Sequence, residues 1–106
     1  MQIELNKYQK YMQLFYKNAN DRELFQKLIE EVGELAAALN KKYNLKNGEF
    51  SLINLGEELI DIIYFAVAIG VANNIDLEKA LLEKDEEGSK RYNRNTDLKT
   101  FLSNPK

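Results

Sequence analysis

Eight consecutive apolar residues, Ile62 to Ile69, follow directly on Asp61. The stretch from about Leu52 to Asn73 reads as a helix, and its second half is apolar on nearly every side. A helix without a polar face has to be surrounded. A chain of 106 residues has few other elements to do this, so the pattern predicts that a second subunit completes the packing. The apolar run falls far short of the ~20 residues needed to cross a bilayer. Asn73-Asn74 ends it. It is a core element, and no membrane contact is expected.

The remaining periodicity is helical too. Leu5, Tyr8, Met12, Phe15 and Tyr16 mark the inner face of a helix from about Glu4 to Lys17. Asn18-Ala19-Asn20 interrupts it, and Asn20 with Glu23 three residues on forms a box-like start signal for a second helix. That helix runs to about Tyr43, with Leu24, Phe25, Leu28, Val32, Leu35, Ala36 and Leu39 as its expected buried face. Asn44 to Ser51 is polar, and Asn47-Gly48 marks a turn. Asp76 can cap a fourth helix, extending to about Asn93 with Leu77, Ala80, Leu81 and Tyr92 facing in. No segment alternates at period two long enough for a strand. The expected fold is an all-α bundle of four main helices over residues 1–93, completed by oligomerisation. Residues 94–106 form a polar C-terminal tail that packs loosely or against a partner.

Composition narrows the chemistry. A net charge of −2 argues against a nucleic-acid binder. The chain has no cysteine and no histidine. This removes disulfides, thiolate nucleophiles, zinc–thiolate sites and the usual general base. Carboxylates, hydroxyls, amides, Lys, Arg or metal-bound water must carry any reaction. Met1 to Tyr16 lacks the long apolar core of a signal peptide, so the expected location is cytoplasmic.

Two acidic clusters stand out within the apolar helical runs: Glu30-Glu31-x-x-Glu34 and Glu57-Glu58-x-x-Asp61. They are in register 27 residues apart. At 3.6 residues per turn the three acids of each cluster share about 100° of arc. Acids in pairs are commonly a solvated helix face, and that reading competes here. Three features favour a divalent cation held by oxygen. The second cluster abuts the most apolar segment of the chain. No Lys or Arg stands at i±3 or i±4 from Glu58 or Asp61 to offset their charge. And if the second and third helices pack antiparallel, the matched patches face one another and form a cage suited to Mg²⁺.

With Glu30-Glu31-x-x-Glu34, then 23 residues, then Glu58-x-x-Asp61, the chain resembles the MazG-like all-α nucleoside triphosphate pyrophosphohydrolases. That superfamily also holds dimeric dUTPases, dCTP pyrophosphatases and phosphoribosyl-ATP pyrophosphohydrolases. The resemblance extends through Leu28–Ala37, Leu55–Ala66 and Asn74–Leu81, and covers about residues 5–92. It implies Mg²⁺-dependent cleavage, with Mn²⁺ as a substitute, of a (deoxy)nucleoside triphosphate to the monophosphate and pyrophosphate. Glu31, Glu34, Glu58 and Asp61 would be metal ligands. Glu30 would orient or deprotonate the attacking water, and Glu57 lies outside the motif.

The same resemblance assigns Lys84, Arg91 and Tyr92 to substrate binding. Gly88 departs from it, standing where relatives usually carry Asn. Tyr8, Tyr11, Phe15 and Tyr16 give the first helix an aromatic edge, open to base stacking or to ordinary core packing. Base and sugar identity are not legible. The expected activity is house-cleaning or nucleotide-pool control by a homodimer or homotetramer. The alternatives are phosphoribosyl-ATP hydrolysis and a non-catalytic helical interaction module.

Overall fold

Five helices make up the computed structural model, which describes residues 1–104: α1 (Leu5–Tyr16), α2 (Asp21–Lys42), α3 (Leu52–Ala72), α4 (Leu77–Arg91) and α5 (Leu98–Ser103). There is no strand among the described residues. No helix among them is long and apolar enough to cross a membrane.

Side chains at the boundaries explain where each helix begins. Asn20 Oδ1 accepts from the backbone N–H groups of Arg22 and Glu23 at 3.0 and 3.2 Å. Asp76 accepts from Lys79 N–H at 3.0 Å. Ser51 does the same for Asn54 at 3.2 Å, a cap the sequence reading did not single out. Each bond satisfies a donor that the first helical turn leaves open. Three helix ends share one device. Asn44, Asn74 and Asn93 have φ of 60°, 55° and 51°. The next N–H in each case reaches back across the last turn: Leu45 to Asn40 O (2.8 Å), Ile75 to Gly70 O (2.9 Å) and Arg94 to Ser89 O (3.0 Å). Asn tolerates this left-handed conformation better than most residues.

α2 and α3 form the main antiparallel hairpin, and α1 lies across the C-terminal half of α3. The core sits where the three meet, with Met12, Leu24, Val67, Ala68 and Val71 buried and Tyr8, Tyr16, Tyr64 and Phe65 packed against them. α4 turns away after α3 and packs chiefly on α1 and α5. Buried Gln9 fixes that turn. Its Nε2 donates to Ile75 O (2.5 Å) and its Oε1 accepts from Leu77 N–H (2.9 Å). Gly70 permits the close approach, since a Cβ there would lie 2.8 Å from Leu77 Cδ1.

The segment from residue 94, expected as a loose tail, contains α5. Asp97 caps it through Thr100 N–H (2.8 Å), and Asp85 on α4 accepts from Leu98 N–H (2.5 Å). Residues 105 and 106 of the expected tail lie outside the described residues. A second difference concerns α2. Leu24 is buried and Leu28 and Leu35 are half-buried, but Phe25, Val32, Ala36 and Leu39 are exposed. Ile29 and Tyr43 join them at helical spacing, and α3 adds Leu52, Leu59 and Ile63. One side of the hairpin is therefore an open apolar stripe. Likewise Ala80 and Leu81 on α4, and Tyr92 just past its end, are exposed, while Leu77 faces in. The Cα radius of gyration is 16.8 Å, against about 13 Å for a compact chain of this length.

Candidate active site and metal centre

The antiparallel hairpin brings the two acidic clusters together at mid-length. One carboxylate oxygen from each of Glu31, Glu34 and Glu58 lies within 4.8 Å of the others. Asp61 stands close enough to act on both Glu31 and Glu58. Glu31, Glu58 and Asp61 are half-buried and Glu34 is exposed. Two of the oxygens, Glu31 Oε2 and Glu58 Oε2, are shielded from solvent and have no hydrogen-bond partner. Orphaned anionic oxygens are costly to bury, so such an arrangement calls for a counter-charge.

The site's electrostatics follow from this crowding. Burial, then the neighbouring carboxylates of Glu34, Asp61 and Glu58, push the Glu31 carboxyl up to about 7. Burial also raises Glu58, helped by its contact with Glu34. Both shifts report a pocket where negative charge is disfavoured without a cation. The donor set is all oxygen and all carboxylate. That suits a hard divalent ion such as Mg²⁺, which would meet the orphaned Glu31 and Glu58 oxygens and reverse the sign of the site.

The other sequence-expected residues lie in different places. Glu30 is exposed and pairs with Lys27 at 3.5 Å. Glu57 is exposed. On α4, Arg91 is tied to Glu87 at 2.8 Å and Lys84 is exposed, as is Tyr92 just past its end. These three do not join the acid cluster within the chain, because α4 packs chiefly on α1 and α5. A Cβ built on Gly88 meets nothing within 4 Å, so a side chain there would start in open space.

A pocket of about 490 Å³ went unrecognised in the sequence. It is lined by residues of α1, the start of α2, and Phe65 of α3. The aromatic edge of α1 was its only sequence signal. Of that edge, Tyr8 and Tyr16 are half-buried, whereas Tyr11 and Phe15 are exposed. The Tyr16 and Tyr64 hydroxyls are hydrogen-bonded to one another.

Known proteins match this arrangement. The sequence profile of the phosphoribosyl-ATP pyrophosphohydrolase family fits residues 5–87. The chain belongs to this family. Among solved structures, it is similar to the crystal structure of iMazG from Vibrio DAT 722, with 31% sequence identity and a TM-score of 0.64. That match covers 87% of this chain and 100% of the Vibrio chain. A search of curated proteins gives no match. The phosphoribosyl-ATP pyrophosphohydrolase family and the Vibrio structure share the MazG-like all-α fold. The chain is accordingly a pyrophosphohydrolase of that type, acting on phosphoanhydride bonds. Enzymes of this fold generally use divalent metal ions, in keeping with the carboxylate cluster.

Proposed function

We propose that the protein is a Mg²⁺-dependent nucleoside triphosphate pyrophosphohydrolase, releasing nucleoside monophosphate and pyrophosphate. The observation carrying this reading is the pair of solvent-shielded, unpartnered oxygens on Glu31 and Glu58 within the Glu31–Glu34–Glu58 cluster. Glu31, Glu34, Glu58 and Asp61 would hold the ion. Once bound, it supplies Lewis acidity and neutralises phosphate charge.

The chain's own groups do the rest. Glu30, exposed on α2 beside Glu31, is the group proposed to accept a proton from the attacking water. Water oxygen bonds to phosphorus, the bridging P–O bond breaks, and pyrophosphate leaves with the electron pair. Lys84, Arg91 and Tyr92 are proposed to contact the phosphates. Because α4 stands apart from the acids, a second copy would have to deliver them.

The apolar stripe on α2 and α3 supports a homodimer as the smallest working unit, with a tetramer as its possible extension. Phe25, Ile29 and Val32 lie about 100° or more around α2 from Glu31. A partner docked on the stripe would thus leave the acids open to substrate.

A second reading has its own support. The matching family is named for phosphoribosyl-ATP hydrolysis, and that substrate carries the same scissile bond type. A pyrophosphate-release screen with Mg²⁺ over nucleoside triphosphates and phosphoribosyl-ATP separates the two. Turnover of triphosphates supports the first reading, and turnover of phosphoribosyl-ATP alone replaces it with the second. Turnover of none refutes both.

A further inference from the structure

The two ends of the apolar stripe have complementary shapes. At the open end of the hairpin lies a hollow of about 550 Å³, lined by Phe25 and Ile69 with Asp21, Arg22 and Gln26. At the closed end the turn between α2 and α3 forms a knob. Tyr43 and Leu52 project there, 65% and 75% exposed, and Leu45 is bare beside them. The charges are complementary too. Lys46 and Glu49 stand on the knob, and Asp21 and Arg22 at the hollow. None of these four has an ion-pair partner among the described residues. The exposed side chains of the stripe, roughly half open each, present on the order of 800 Å², which is what a standard interface takes from each partner.

We infer that a second copy of this chain covers the stripe antiparallel, each knob seated in the hollow of the other copy. The inference rests on the homodimeric reading above and specifies how that dimer is built. Phe25 and Tyr43 lie about 27 Å apart along α2. A two-fold axis crossing the stripe between Val32 and Ala36 reverses the order of contacts. Tyr43 of one protomer then meets Phe25 of its partner, and Leu52 meets Ile69. Lys46 comes to Asp21, and Glu49 to Arg22. A two-fold axis running along the hairpin would instead set knob beside knob and hollow against hollow, with like charges together. The reversal also bears on the acid cluster. α4 departs from the open end of the hairpin, after Asn73-Asn74. In the antiparallel dimer that end lies beside the closed end of the partner's hairpin. There α1 gives no cover, because it stops where Tyr16 bonds to Tyr64, and Ile53 and Ile60 of α3 are exposed. The α4 of one protomer is thereby brought towards the acids of its partner, the approach that Lys84 and Arg91 need.

The chain has no cysteine, so introduced thiols report the packing without background. The full chain carrying both Phe25→Cys and Tyr43→Cys is checked for doubled mass by light scattering and then treated with a short bis-maleimide. Within one chain the two thiols are about 27 Å apart, too far to bridge. The double variant is expected to run mostly as a covalent dimer on a denaturing gel. Each single variant is expected to run as a free chain, since equivalent residues are also about 27 Å apart in this packing. If Tyr43→Cys alone links as readily as the double variant, the knobs are neighbours and the inference is overturned. A dimeric double variant that forms no covalent dimer overturns it as well. Should the cysteines loosen the dimer, charge decides instead. Lys46→Asp is expected to weaken dimerisation about tenfold, two rim ion pairs being replaced by repulsion, and Asp21→Lys in the same chain is expected to restore it. No loss, or loss without restoration, overturns the antiparallel packing. If the unmodified protein is monomeric, the homodimer and this packing fall together, while the pyrophosphate-release screen still decides the triphosphate reading.

Discussion

Ile63 sits on the open side of α3, 49% exposed, level with Ile29 across the hairpin. If a second copy covers this face, Ile63→Asp should take the assembly apart. About half of the Ile63 surface remains to be buried, worth about 1 kcal/mol of the roughly 1.5–3 kcal/mol for a whole side chain. An aspartate held there without a partner costs about 2 kcal/mol more. A two-fold interface repeats each change. The total is about 6 kcal/mol, or about four orders of magnitude in the dimer dissociation constant. Light scattering on a sizing column should give twice the chain mass for the unmodified protein and 12.3 kDa for the variant. Leu14→Asp is the control: it is 76% exposed on α1 and off the stripe, and it should remain dimeric. The Ile63→Asp monomer should still bind Mg²⁺, because all the proposed ligands come from one chain. A monomeric unmodified protein would refute the reasoning, as would an Ile63→Asp variant of unchanged mass.

Four further outcomes follow from the site and the core. Glu58→Gln should lower Mg²⁺ affinity by about 100-fold or more in titration calorimetry and raise the melting temperature of the metal-free protein, since it removes one of the crowded charges; an unchanged Mg²⁺ isotherm would exclude Glu58 as a ligand. Because the Glu31 carboxyl is raised from 4.5 to about 7 by burial and then by Glu34, protons compete with the ion, and Mg²⁺ affinity should weaken as pH falls below that value. The same raised value means that the stability Glu31 contributes to the metal-free protein is fully present below pH 4.5 and is lost as pH rises towards 7, so the metal-free melting temperature should fall over that window and Mg²⁺ should restore it at higher pH. Gly70→Ala should cost about 1–3 kcal/mol by overpacking, since its Cβ would press on Leu77; thermal denaturation measures this, and no loss would mean that α4 can shift freely.

Much of the fold was legible because helix boundaries are local. Asn20 and Asp76 cap where a short polar side chain precedes an apolar run, and that needs no knowledge of the rest of the chain. Ser51 and Asp97 do the same work: Ser51 follows a polar stretch in which the Asn47-Gly48 turn is the stronger signal, and Asp97 precedes only six helical residues. α5 escaped notice for a related reason: six residues make too short a period to read, and its hold on α4 comes from Asp85, thirteen residues away from Leu98. The α2 face was misassigned because periodicity finds an apolar side without saying what covers it. Phe25, Val32 and Leu39 have the spacing of core residues, yet α1 is only 12 residues long and lies on the other side of the hairpin.

The acids divide in the same way. Their spacing in sequence put Glu31 with Glu34 and Glu58 with Asp61, since each pair is one helical turn apart. Only the antiparallel packing of α2 on α3 could bring Glu58 within 4.8 Å of Glu31 and Glu34 and shield the Glu31 and Glu58 oxygens. Nothing local marks Lys27 as the neighbour of Phe65, or either as part of a pocket with Phe15. Residue spacing decides which side chains share a helix face; the crossing of helices decides which faces meet, and a binding site exists only where they do.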